Sequence, residues 1–330
     1  MNKRIGFTLG KYAPLHAGHQ LVIDTALAEM DAVIVMIYDA PETTSIPLPI
    51  RTQWIRDLYP TVEIVEAWDG PTETGYTPEI IAMHDAYILG QVGTRGITHF
   101  YSSERYGAHV SAALGAVNRQ VDPPRTIKPI SATMIRDDAW SQRHLIAPRV
   151  YADLITRVVL LGAPSTGKST LTAALAAYFD TVWMPEYGRE YWDKHQQQRQ
   201  LSHRQLLEIA KGHIVREDAL WAQANRYCFV DTNALTTAMF SQYYHHAVAP
   251  KLAALAANCA GRYDVTLVCG DDIPYDDTWD RSGEVARTIF QKQIIADLTI
   301  RHVPYHLISG DIPTRIAQVA QILAQLPARP

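Results

Sequence analysis

The sequence predicts an α/β protein built from two doubly wound parallel sheets, one in each half of the chain. Three observations carry that expectation. Short β-branched runs alternate with longer stretches of helical spacing throughout. The strand candidates are apolar along their whole length instead of alternating, as expected of strands covered on both faces. Each half also opens with a strand that runs through a glycine-bearing loop into a helix, the junction where parallel-sheet proteins bind ligands.

In the first half, residues 4–9, 32–38, 62–67 and 98–102 read as strands, with helical spacing over 19–30 and 53–58 between them. In the second half, residues 157–161, 227–230, 265–269 and 305–308 read as strands. The last helix is signed by Asp311, by Pro313 in its first turn, and by Ile316, Val319, Ile322, Leu323 and Leu326 on one face. Pro148 interrupts the chain just before the second strand-loop-helix unit, so the expected division is 1–150 and 151–330. There is no internal repeat, and the polar run Gln196–Gln200 reads as an exposed loop or helix end.

Composition narrows the functional classes. The 330 residues are 47% apolar and 19% charged, enough for packed cores. Thirty basic against 34 acidic side chains give a net charge of -4, which supplies no general attraction to nucleic acid or anionic membrane. Cys228, Cys259 and Cys269 lack any CxxC spacing and read as buried thiols of a reducing compartment. No apolar run approaches the roughly 18 residues of a membrane span, and the N-terminal MNKRIGFTLGKY breaks too early for a secretory signal. The expected location is therefore cytoplasmic.

The first chemical constellation follows the first strand. Gly10 ends the strand, Lys11 adds a mobile cation, and His16-Ala17-Gly18-His19 opens a helix. Imidazoles three residues apart fall on one side of a helical turn. Gly18 allows close approach of a ligand to backbone N–H groups at the positive end of the helix dipole, which suits a polyphosphate. A second helix start, Ile130–Arg136, offers Ser131 as N-cap and presents Ser131, Thr133 and Arg136 as donors to phosphate oxygens.

The second constellation is G-x-x-x-x-G-K-[ST] at Gly162–Ser169, after one strand and before a helix, the context that defines a P-loop. Ser165, Thr166, Gly167, Ser169 and Thr170 would surround the phosphates, with Lys168 bridging β and γ and the Ser169 hydroxyl on Mg²⁺. Asp231 ends the next long strand, where it serves either as a second Mg²⁺-directed carboxylate or as a base toward a substrate hydroxyl; the sequence does not choose. Glu186 and Arg189 would hold a small polar substrate, or form ion pairs on a solvated helix end. The polar segment from Asp272 to Arg281, with Arg287 beyond, suits a lid over phosphates, and Gly310-Asp311 a wall for adenine. Trp54 and Trp68 could stack on an aromatic ring or be buried, and His84, His99, His109, His144, His203 and His213 carry no distinguishing spacing.

These residues resemble known motifs. His16–His19 with Ile130–Arg136 is similar to the HxGH and ISxTxxR motifs of the nucleotidyltransferase superfamily, more narrowly of nicotinamide-nucleotide adenylyltransferases. Residues 162–169, 186–191, 231–237 and 272–274 with Arg281 resemble the ribosylnicotinamide kinase half of bifunctional NadR-type proteins. Arg51 with Trp54, residues 101–107 and residues 121–125 also resemble that family, so the likeness covers nearly the whole chain. One segment departs: where the family reads roughly DIPWxxDGxR, this chain has Tyr275 for the Trp and Thr278-Trp279 for Asp-Gly.

The resemblance implies two ATP-dependent steps. The second domain would phosphorylate nicotinamide riboside, and the first would join the resulting mononucleotide (NMN) to AMP, giving NAD and pyrophosphate. Adenylyl transfer would proceed by alignment and charge stabilisation from His16, His19, Lys11, Arg136 and Mg²⁺, with Arg51 and Trp54 on the substrate side. The expected partners are small molecules only, with room for a homo-oligomer and a functional link to a riboside transporter. Some relatives carry an N-terminal helix-turn-helix domain; because the first strand begins by Arg4, neither that domain nor DNA binding is expected. The alternatives are the same chemistry on another cofactor precursor, or an ATP- or NAD-sensing module with little turnover.

Overall fold

The computed structural model describes residues 3–93, 95–197, 200–274 and 284–326. The chain divides between Tyr151 and Ala152 into two compact units.

The first unit is a five-stranded parallel sheet of β1 (Ile5–Gly10), β2 (Ala32–Tyr38), β3 (Glu63–Ala67), β4 (His99–Ser102) and β5 (Val117–Gln120) in the order β3-β2-β1-β4-β5. Its register runs from Ile5 opposite Ala32 to Gly10 opposite Ile37. Phe7, Ile34, Met36, Val65, Ile88, Phe100 and Val110 form the core beneath helices Pro78–Val92 and Gly107–Leu114. The chain leaves β1 toward one edge and returns at β4 toward the other, so the connections diverge there and open a crevice at the carboxyl ends. The sequence expectation lacked β5, whose residues Val117-Asn118-Arg119-Gln120 are mostly polar and largely exposed because they form the sheet edge.

The second unit repeats the principle. Strands β6 (Thr156–Leu161), β7 (Trp183–Met184), β8 (Tyr227–Asp231), β9 (Val265–Cys269) and β10 (His306–Ile308) lie parallel in the order β10-β9-β6-β8-β7. The two-residue edge strand β7 is too short to leave a pattern in the sequence. Helix Lys168–Tyr178 lays Leu171 and Leu175, one turn apart, on Val158, Leu160 and Phe229. Helix Ile312–Ala324 adds Val319 and Leu323 to the same core. Fully burying each such side chain stabilises the unit by about 1.5–3 kcal/mol. The divergence now falls at β6, between β8 and β9, which directs the loop after β6 into the crevice.

All three cysteines are buried free thiols. No helix among the described residues is long and apolar enough to cross a membrane.

Candidate functional site

In the first unit, β1 delivers the chain to His16, which caps helix Ala17–Glu29 from extended backbone at φ -141°. The His16 Nδ1 accepts the backbone N–H groups of Gly18 at 3.1 Å and His19 at 3.4 Å. That role requires the ring proton on Nε2, making His16 a neutral donor. The two imidazoles stack with centroids 3.8 Å apart, and Tyr12 meets His19 edge-on at 4.9 Å. Burial, with the nearby Arg125 charge, pushes the His16 pKa down to about 4 from the usual 6.5. His19 is lowered further by burial, by His16 and by Arg125. The sequence expectation has both stabilising charge on the reacting phosphates; burial favours the neutral form of each, which can do so as an N–H donor. A Cβ at Gly18 would lie 3.0 Å from His16 Cε1, so glycine is what lets the imidazole fold back over the helix start.

A cavity of about 720 Å³ opens there, and Gly10, Lys11, His16, Gly18, His19, Ser131 and Thr133 all line it. Lys11 Nζ is held by Glu42 Oε1 at 2.6 Å and Thr43 Oγ1 at 3.0 Å. Arg136 stands outside that wall. Its Nη1 donates to the Ala13 carbonyl at 2.7 Å and its Nη2 to Thr133 Oγ1 at 3.0 Å, so it fastens helix Ala132–Asp137 to the loop before His16. Arg51 and Trp54 do not meet the substrate-side expectation: both are fully buried and neither reaches the cavity wall. The Arg51 guanidinium donates to the carbonyls of Ile46, Lys11 and Tyr38 and to Asp39, which satisfies a buried charge. Trp68 is more than half exposed and donates to Glu66.

Two cavity cations went unassigned in the sequence reading. Arg125 and Lys128 both line the cavity. Asp122 accepts the N–H groups of Thr126, Ile127 and Lys128 at 2.8, 2.9 and 3.0 Å, which sets the turn that places both cations. Arg125 pairs with Glu104 at 2.5 Å. The signal was an Asx-type turn between two basic residues, visible in sequence only as Asp122-Pro123-Pro124-Arg125.

In the second unit, the loop after β6 carries Gly162 at φ 146° and Gly167 as the N-cap of helix Lys168–Tyr178. A Cβ at Gly162 would come within 2.8 Å of Thr166 Oγ1 and 2.9 Å of the Cys269 carbonyl. Lys168 Nζ donates to the Ala163 carbonyl at 2.9 Å, and the Ala163 N–H donates to Gln291 Oε1 at 2.8 Å. Gly162, Ser165, Thr166, Gly167, Lys168, Ser169, Thr170, Glu186 and Arg189 all line a second cavity of about 480 Å³. Trp192, Phe240, Tyr243, Tyr244 and Phe290 supply an aromatic side to the same cavity. His213, which carries no distinguishing spacing, also lines it; helical spacing on His203–Trp221 stacks it above Glu217, with Nε2 3.0 Å from Glu217 Oε1 at an angle short of a straight hydrogen bond.

Asp231 is buried at the end of β8, and neither carboxylate oxygen accepts a hydrogen bond at ordinary geometry. Ser169 lies close enough to favour its charged form, but burial dominates and raises its pKa. Burial and the Asp231 charge also raise Glu186. Two acceptor oxygens without donors, beside a hydroxyl and a buried ammonium, fit a hard divalent cation such as Mg²⁺.

One expected ATP contact falls elsewhere. Asp311 caps helix Ile312–Ala324, accepting the Thr314 N–H at 3.0 Å, and does not line the cavity. A carboxylate at a helix start satisfies orphan N–H groups, and that local demand takes it. Arg281 and the departure at Tyr275–Trp279 lie outside the described residues. Arg287 is buried at the edge of that segment, donating to the carbonyls of Ile273 and Asp271 at 3.0 and 3.1 Å.

The chain is similar to several known proteins. A family model described as an AAA domain matches residues 157–315. The chain is 25% identical to the trifunctional NAD biosynthesis/regulator protein NadR of Salmonella typhimurium over 98% of its length and 83% of that protein's. It is homologous to NadR. The NadR of Escherichia coli gives the same identity and the same coverage. A crystal structure of NadR protein in complex with NAD and AMP-PNP shares the fold at a TM-score of 0.63 and 20% identity, covering 98% of this chain and 96% of that one. A NadR structure in complex with NR matches at a TM-score of 0.65, with the same identity and coverage.

Proposed function

We propose that this NadR homologue is a two-site enzyme of NAD salvage, in which the second unit phosphorylates nicotinamide riboside and the first adenylylates the mononucleotide to NAD. One observation carries the reading most directly. Each unit has its own cavity at the divergence point of a parallel sheet, and each cavity is bordered by a helix start and cations suited to a triphosphate. The NadR relatives, described as NAD biosynthesis proteins and seen with NAD, AMP-PNP and NR, support the choice of substrates.

In the second unit, Lys168 and the loop amides would hold the ATP phosphates while the riboside 5′-hydroxyl attacks the γ-phosphorus. Glu186 borders the cavity and its pKa is raised, which suits it to take the hydroxyl proton. Asp231 lies behind it with Ser169, which suits the pair to hold Mg²⁺. Mg²⁺ there would spread the charge of the triphosphate.

In the first unit, an NMN phosphate oxygen would attack the α-phosphorus of ATP, with pyrophosphate leaving. The nucleophile is already ionised, so no base is required. His16 and His19 would act as neutral donors to phosphoryl oxygens, and Lys11, Arg125 and Lys128 would supply the positive charge, with Arg136 holding the loop in place.

The test is product analysis of the purified chain with nicotinamide riboside, ATP and Mg²⁺. NMN followed by NAD is the expected sequence of products. Neither product after long incubation overturns the reading.

A further inference from the structure

One helix joins the loop after β6 to the end of β9. Helix Glu284–Ile300 carries Arg287 and Gln291 about one turn apart, on the same side. Arg287 donates to the Ile273 and Asp271 carbonyls at 3.0 and 3.1 Å. Gln291 is 5% exposed. Its Nε2 donates to the Cys269 carbonyl at 2.9 Å, and its Oε1 accepts the Ala163 N–H at 2.8 Å. A backbone N–H only donates and a carbonyl only accepts, so these partners fix which way the amide faces.

Gln291 holds a crowded point of the P-loop. A Cβ at Gly162 would meet the same Cys269 carbonyl at 2.9 Å, so the first glycine of the loop lies against it. A Cβ at Gly167 would come within 3.2 Å of Ile273 Cδ1, so the segment that Arg287 holds lies against the other end of the loop. Between them, the Ala163 carbonyl accepts Lys168 Nζ at 2.9 Å and Thr166 Oγ1 at 2.8 Å. Ala163 is thus gripped by Gln291 on its N–H side while Lys168 rests on its carbonyl side. An ionised glutamate would have no donor for Cys269, and a lysine no acceptor for Ala163. Gln291 does not line the cavity, so it reaches a substrate only through these backbone atoms.

We infer, on the strength of the kinase reading above, that Gln291 is a positioning residue for phosphoryl transfer in the second unit: by fixing Ala163 against the end of β9 it sets the place from which the Lys168 ammonium reaches the ATP phosphates. A lysine is a point charge on a flexible stem, so its placement depends on the contact where it rests. A small displacement of a charge that must meet a reacting phosphate is costly in rate, even when its cause lies outside the cavity.

The test measures kcat/KM for ATP and KM for nicotinamide riboside in riboside phosphorylation by the full chain, for wild type, Gln291→Met, Lys168→Ala and the double variant. Gln291→Met keeps the length of the side chain and removes both hydrogen bonds. It is expected to lower kcat/KM for ATP about tenfold, with KM for the riboside changed by less than about twofold and adenylylation of supplied NMN unchanged. Gln291→Asn remains an amide but is one carbon shorter and cannot span Ala163 and Cys269 together. The same pattern at smaller size is expected of it, and it carries the test if the methionine variant unfolds. Because Gln291 acts through Lys168, the double variant is expected to be no slower than Lys168→Ala alone. Losses that multiply in the double variant overturn the inference, as does an unchanged kcat/KM in the folded single variants or an equal rise in KM for the riboside. A wild-type chain that phosphorylates no riboside overturns the kinase reading and the inference together.

Discussion

Arg315 Nη1 donates to the Thr166 carbonyl at 2.6 Å, joining the last helix to the P-loop across 149 residues of sequence. The same guanidinium reaches the carbonyls of Gly310 at 2.8 Å and Gly270 at 3.3 Å and the Asp272 carboxylate at 2.7 Å, with the side chain 1% exposed. It therefore ties together the loops that follow β6, β9 and β10. A carbonyl held from behind keeps the peptides of the loop turned so that their N–H groups stay free for phosphate.

Arg315→Ala is expected to lower stability by about 2–4 kcal/mol, since it leaves the Thr166, Gly270 and Gly310 carbonyls without this donor, while Asp272 keeps the Gly310 N–H and contact with solvent. Chemical denaturation measures this. Arg315→Lys keeps the charge but cannot reproduce the fork, and should recover only part of the loss. In the folded Lys variant, KM for ATP in riboside phosphorylation should rise more than kcat falls.

Lys168→Ala is expected to cost at least a hundredfold in riboside phosphorylation while adenylylation of supplied NMN proceeds, because Lys168 belongs to one cavity only. His19→Ala should show the reverse. Assaying both steps on both variants checks the assignment, and a variant that loses both activities without unfolding contradicts it.

The depressed pKa of His16 makes a prediction about pH. Its folded value of about 4 lies below the unfolded 6.5, so between those limits the unfolded chain binds more protons. The contribution to stability is present above about pH 6.5 and is lost as pH falls toward 4, by roughly 3 kcal/mol in all. His16→Asn retains a side chain able to cap the helix and removes the titration. The loss of stability between pH 7 and pH 5 should be smaller in this variant than in wild type, by denaturant titration at the two values.

Gly18→Ala places a Cβ 3.0 Å from the His16 ring. The ring must shift, which disturbs its stacking on His19 and its acceptance of the Gly18 and His19 amides. The expected result is a fall in adenylylation of at least tenfold, with riboside phosphorylation unchanged and a stability loss of about 1 kcal/mol.

Much of this molecule is determined by local sequence. The apolar runs at Ala32–Tyr38 and Val265–Cys269 are strands at those bounds, and the spacing of Val319 and Leu323 set the buried face of the last helix. The chain also places His16 and Lys168 at the starts of helices by local signals alone, a glycine at the turn and apolar spacing after it. The tertiary structure decided the rest. It turned Arg51 inward to loop carbonyls, assigned Asp311 to a helix start, and brought Arg125 and Lys128 to the first cavity. It also paired Asp85 with His109 across two helices and Arg315 with Thr166 across a domain. The physical reason is common to all of these. Backbone propensity and hydrophobic period act over a few residues, whereas a buried polar group takes whichever partner the packed chain brings within hydrogen-bond reach, and that partner has no fixed distance along the sequence.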